Sequence, residues 1–227
     1  MYRILCLSLF SLIFFIQDLE AQKYTYYSAE LAREKSQEHI HALKDGILIV
    51  RLESYEKQIN QMKSMLIKKE IDQKKRELIK RELNNYKEKR EREAKEIITA
   101  FDEKYNFCPV YFTWDKDYNI EKQIEGSLQL LNSDLGYEDE LLPKDEMHYI
   151  LTTGLSHPSV KPEQYGWIIM DRDHLVLQKP FPYFLKEMGF GFFHSIEVIF
   201  GTKKDHLNYP KMVLKLNERL HKAYSKT

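Results

Sequence analysis

The segment from Glu53 to Tyr105 contains neither proline nor glycine, and no other feature constrains the architecture as strongly. Tyr55, Ile59, Met62 and Leu66 recur at spacings of four, three and four. The pattern resumes at Ile79, Leu83, Tyr86, Arg90, Ala94, Ile97 and Phe101. Both ends therefore read as amphipathic helix. Between them, residues 68–96 are about two-thirds charged. Glu70 with Lys74, Asp72 with Arg76, Glu77 with Arg81 and Glu88 with Arg92 stand in the favourable acid-before-base order. Each such pair adds only about 0.2–0.5 kcal/mol to a helix, so their accumulation matters more than any one of them.

A single helix over 53–105 would run about 75 Å at 1.5 Å per residue, longer than a domain of this size is wide. The segment must therefore protrude or fold back as a hairpin, and Asn84 and Asn85 mark a place for the turn. The heptads lapse around Lys75, where an apolar residue should stand in a coiled coil. The functional expectation for the segment is a helical arm that meets a protein partner or a second copy of the chain. The plainer one is a solvated helix lying over a sheet.

Around this segment the elements alternate. Ser28 is a candidate N-cap for a helix carrying Leu31, Lys35, Ile40 and Leu43 roughly on one face, and Gly46 suits a left-handed helix terminus. ILIVRL (47–52) reads as a central strand. CPVYFTW (108–114) is strand-like, and a helix is expected around Ile120–Leu131. An acidic loop, SDLGYEDELLPKDE (133–146), leads to a strand in MHYILTTGL (147–155). Trp167–Met170 and Leu175–Leu177 read as a β-hairpin around Asp171–His174, ended by the prolines of KPFPYF. An aromatic stretch, FGFFHSIEVIF (190–200), precedes a terminal helix from about Pro210, with Met212, Val213, Leu216, Leu220 and Tyr224 near one face. The fold class expected is α/β (α+β): a mixed sheet with thioredoxin-like element order, and a long charged helix or helical hairpin inserted after the first strand. Element order does not carry function.

At the N-terminus a single basic residue, Arg3, precedes an apolar run from Ile4 to Ile16, and Leu19 and Ala21 follow in a polar stretch. This outlines a secretory signal peptide at 1–21, cleaved after Ala21. The run is about 13 residues, short of the about 20 that a membrane-spanning helix needs. Residues 22–227 then form one mixed α/β domain, exported to the periplasm or secreted, with no integral membrane span after cleavage. Of 35 basic and 35 acidic residues, 34 and 33 remain after residue 21, so no global field attracts nucleic acid. Only Cys108 survives cleavage, which precludes an intramolecular disulfide.

Specific chemistries are mostly excluded. A dithiol mechanism lacks its second thiol near Cys108. Asp115, Asp117 and Asn119 open like a calcium loop, yet the sixth and twelfth positions are Ile120 and Gly126 where that loop needs glycine and an acid. A looser site could draw on Glu121 or Glu125. Asp171 and Asp173 form an acid pair at the hairpin tip, where Asp is also a routine turn residue. His39 and His41 are two apart and diverge on a helix. No zinc-protease, phosphate-loop or nucleophile-elbow motif occurs. No catalytic, cofactor-binding or metal residue is therefore assigned, and no cofactor.

The exported N-terminus, LKDGILIVRL, the charged helical stretch, NFCPVYFTW and KPFPYF together resemble uncharacterised exported proteins of Bacteroidota-type bacteria. The resemblance implies an envelope location and supplies no catalytic residues. The functional expectation is an exported, non-enzymatic protein acting by protein interaction through 53–105. The alternative is an α/β enzyme or small-ligand binder with a site at the strand ends near Cys108, Asp115 and Asp171.

Overall fold

The computed structural model describes residues 25–26, 28–68, 71–119, 122, 125, 127–142, 147–158, 162, 164–186 and 207–226. The expected signal peptide 1–21, the aromatic stretch 190–200, Ile120, Glu121 and Gly126 lie outside the described residues. In chain order the elements are β1 (Thr25–Tyr26), α1 (Ala29–Asp45), β2 (Ile47–Leu52), α2 (Glu56–Ile67), α3 (Gln73–Lys104), β3 (Val110–Trp114), β4 (Gln129–Leu131), β5 (Tyr137–Leu141), β6 (His148–Leu155), β7 (Tyr165–Met170), β8 (Leu175–Val176), β9 (Phe184–Lys186) and α4 (Tyr209–Tyr224). The strands form one mixed sheet in the order β1-β8-β7-β6-β2-β3-β4-β5, with β9 also paired to β7.

The centre follows from ILIVRL. Ile47 to Val50 are at most 3% exposed, and β2 lies between two parallel neighbours, β3 and β6. A strand covered on both faces reads as a continuous apolar run, which this one does. The hairpin β7–β8 forms as the sequence predicts, antiparallel to β6. The thioredoxin-like order is not confirmed: β4 and β5 extend the sheet beyond β3 as an antiparallel flank.

Two elements differ from expectation there. Gln129–Leu131 is a strand rather than the end of a helix over 120–131, because the chain turns just before it. Both the amide and the hydroxyl of Ser127 donate to the Lys122 carbonyl, at 2.7 and 3.1 Å. The acidic loop 133–146 contains β5, the sheet edge, whose sequence YEDEL suits a strand that must not pair further.

In α1, Ser28 caps as expected by accepting from the Leu31 amide at 3.3 Å. The buried residues are Ala32, Ser36, Ile40 and Leu43, while Leu31 is exposed and Lys35 half-buried. The contact face begins one residue later than the apolar reading placed it, with the small Ala32 and Ser36 buried in place of Leu31 and Lys35. Gly46 is not left-handed, with φ at −102°. Its reason is proximity: a Cβ there would stand 2.3 Å from the Met147 carbonyl oxygen and 2.8 Å from that of Ala42.

The charged segment is a helical hairpin, but it does not turn at Asn84 and Asn85, which are exposed within an unbroken α3. The reversal lies between Ile67 and Gln73. Asp72 caps α3 by accepting from the Lys75 amide at 2.8 Å. Arg76 donates to the Leu66 and Lys68 carbonyls at 2.6 and 3.3 Å, taking up acceptors that the end of α2 leaves open. Asp72 and Arg76 therefore serve the turn instead of pairing with each other. Glu77–Arg81 and Glu88–Arg92 do not close to ion-pair distance either; Lys89–Glu93, at 3.8 Å, does.

At 32 residues, α3 is about 48 Å long against about 20 Å for β2. Its inner part packs on the sheet and α4 through Phe101, whose ring meets those of Phe112 and Trp167. Its outer part packs on α2 through a separate small cluster of Ile59, Met62, Ile79 and Leu83. The terminal helix α4 forms as predicted from Asn208 and Pro210, with Met212, Val213, Leu216 and Leu220 buried. Among the described residues no helix is long and apolar enough to cross a membrane.

Candidate functional site

At the carboxyl end of β2 the chain leaves the sheet through Glu53, Ser54 and Tyr55 before entering α2. Asp115, leaving the parallel neighbour β3, fixes this exit: its carboxylate accepts from the Ser54 amide at 3.0 Å, and its own amide donates to the Leu52 carbonyl at 2.8 Å. Tyr55 stands in the left-handed region at φ 51°, a conformation that costs a non-glycine residue roughly 1–2 kcal/mol. It directs the Tyr55 hydroxyl to the Glu93 carboxylate of α3, to which it donates at 2.6 Å.

A cavity of about 180 Å³ lies there, enclosed by the ends of β2 and β6, the start of β7, and residues of α3 and α4. Its apolar lining includes Val50, Leu52, Leu151 and Ile97, and the stacked rings of Trp167 and Tyr209, 6.2 Å apart, form an aromatic wall. The polar groups come from several elements. Glu53 accepts from the Thr153 hydroxyl at 2.7 Å and the Tyr165 hydroxyl at 3.3 Å. The Lys89 ammonium sits 3.8 Å from Glu93 and 4.9 Å from the centre of the Tyr55 ring.

Burial raises the Glu93 carboxyl above its ordinary value; the Tyr55 hydrogen bond and Lys89 oppose this, and the Glu53 charge adds to it. Burial likewise raises the Tyr55 phenol far out of the physiological range, with Glu53 and Glu93 reinforcing it. Tyr55 is therefore a fixed hydrogen-bond donor, not a base. Glu53 and Glu93 both act on this phenol, and the Glu53 charge acts on Glu93.

The residues singled out from the sequence do not converge. Cys108 precedes β3 and Asp115 follows it, roughly 20 Å apart along the strand. Asp171 ends the antiparallel β7 at the same end of the sheet as Cys108, but three strand spacings away, about 14 Å. The Cys108 thiol lies 3.2 Å from the Tyr105 hydroxyl, and burial pushes its pKa up to about 11, so at neutral pH it is a thiol and a poor nucleophile.

Asp171 is a buried turn carboxylate that accepts from the amides of Asp173 and Leu175 at 3.0 and 2.9 Å. Asp173 is exposed. Asp117 accepts from the Tyr137 hydroxyl at 2.6 Å, away from Asp115's duty at Ser54, so the two aspartates of the calcium-like triplet serve separate tasks. His39 pairs with the Tyr149 hydroxyl at 2.9 Å while His41 lies against Tyr224, diverging as their spacing requires. Among the described residues no three His, Cys, Asp or Glu side chains are grouped to hold a metal.

Sequence reasoning missed Glu53, Tyr55, Lys89 and Glu93 as a group. Glu53 carried a weak signal, an acid directly after a buried parallel strand, where open α/β sheets place their ligands. Lys89 and Glu93 carried none, standing within the charge-dense stretch of residues 68–96. No family model, curated protein or solved structure matches the chain.

Proposed function

We propose that this chain is an exported, non-enzymatic protein that binds a small ligand in the cavity at the carboxyl ends of β2 and β6. The observation that carries this reading is the convergence of Glu53, Tyr55, Lys89 and Glu93, from two separate elements, on one cavity with an aromatic wall. Small-ligand sites have this composition: mostly apolar and aromatic, with a few directed polar groups. Filling the cavity tests it. Ile97→Trp should abolish any small-molecule stabilisation seen in a thermal-shift screen of the full chain, and hits that persist in the variant would refute the site.

Export rests on the apolar run Ile4–Ile16 and on the resemblance to bacterial envelope proteins. The mature N-terminus is expected at Gln22, and a secreted product that begins at Met1 would refute cleavage. Near-neutral charge speaks against nucleic acid as the ligand.

A second reading, protein interaction through the α2–α3 arm, is favoured by one observation. Ile67, at its outer end, is 82% exposed and Leu78 41%. Self-association through the arm should then appear in sedimentation of the wild type and vanish in Ile67→Glu/Leu78→Glu. A monomeric wild type at high concentration would argue against that route.

A further inference from the structure

We infer that the ligand of this cavity is a small organic monocation, a primary or quaternary ammonium; the inference rests on the ligand-binding reading above. The charges of the lining are unequal. Lys89 and Glu93 are paired at 3.8 Å and offset each other. Glu53 receives two hydroxyl hydrogen bonds, from Thr153 and Tyr165, and among the described residues no cation lies within ion-pair distance of it. Arg51 is itself among the lining residues, but its guanidinium lies over the Tyr118 ring at 4.9 Å, and Tyr118 is not part of the lining. The cavity thus presents one carboxylate held by neutral donors, whose charge a bound cation would complement.

The walls favour a cation over a neutral polyol. Tyr165 lines the cavity and is 44% exposed, and the Tyr55 ring carries the Lys89 ammonium at 4.9 Å, so a ring face here does accept positive charge. A desolvated ammonium over such rings gains electrostatically where a hydroxyl gains little. The volume, about 180 Å³, sets the size. A cavity of about 150 Å³ accommodates one benzene-sized molecule, so a cation with a short aliphatic chain fits and a nucleotide or disaccharide does not.

Calorimetric titration of the full chain with n-butylammonium, 1-butanol and butyrate separates the cases. The expected result is saturable butylammonium binding, at least about ten-fold tighter than 1-butanol, the worth of one charge-assisted hydrogen bond. Butyrate should not bind. Glu53→Gln should remove the preference for the ammonium, and Ile97→Trp should abolish binding altogether. A preference for butylammonium over 1-butanol that survives Glu53→Gln overturns the inference. Binding of 1-butanol or butyrate that is as tight and is blocked by Ile97→Trp keeps the cavity as a ligand site but overturns the cation. Silence from all three probes overturns both.

Discussion

The inner and outer halves of α3 share one unbroken helix but belong to different cores. Ala94, Ile98, Ala100 and Phe101 are at most 4% exposed and join the large core under the sheet, where Phe101 touches rings from β3 and β7. Ile79 and Leu83, at 8% and 9%, cluster with α2 residues and a few partly buried neighbours. Both stripes recur at helical spacing, yet one is anchored to the sheet by contacts distant in sequence and the other by a neighbour one turn away. Lys89 and Glu93 sit between the two halves, so the cavity lies where the rigid sheet gives way to the arm. Local stability should fall across that seam, because cooperative units follow buried contacts and not helix boundaries.

The largest effect is expected from Phe101→Ala. Removing a fully buried ring from the large core should cost about 3–5 kcal/mol and lower the urea midpoint of the whole domain. Leu83→Ala should cost about 2 kcal/mol, at the low end for leucine truncation, because a small cluster near solvent collapses more readily. The two variants should also differ in kind. Hydrogen exchange in Leu83→Ala should quicken in α2 and outer α3 while β2 and β6 amides stay protected, and uniform acceleration would show that arm and sheet are one unit. Smaller again is Arg76→Ala, expected to cost about 1 kcal/mol by releasing the Leu66 and Lys68 carbonyls. Its exchange effect should be confined to the end of α2.

The same division explains what was legible in the sequence. ILIVRL, the β7–β8 hairpin and α4 carry their own periodicity, and each formed where its pattern lies. The arm was legible as helix, but its turn was not: Asp72 and Arg76 look like one more i, i+4 pair among many. Only the folded chain reveals that the first caps α3 and the second closes α2. β4 escaped notice because LQLL suits either period, and β5 because its acids read as loop when they are edge. Gly46 was singled out for the wrong reason. Its need comes from the carbonyl of Met147, about a hundred residues away, and no local pattern encodes that approach. The site was hidden in the same way, since Glu53 and Glu93 meet only because α3 returns across the end of β2.

The pH response of Glu93 sharpens the picture at the seam itself. Its folded pKa is raised from an ordinary 4.5, with burial the first cause. Below that value both folded and unfolded chains hold the proton, and the residue adds no pH dependence. As pH rises through the window above 4.5 the unfolded chain ionises first, so stability is lost until the folded carboxyl also ionises, and then levels off. Glu93→Gln removes this loss, so the difference in Tm between variant and wild type should shift in the variant's favour as pH rises from 4 and then plateau. A difference independent of pH would mean that Glu93 is solvated like an ordinary surface acid. Glu53 contributes to raising Glu93, so in a Glu53→Gln background the same shift should be smaller. That non-additivity distinguishes two carboxylates facing one cavity from two acids that share a surface by accident.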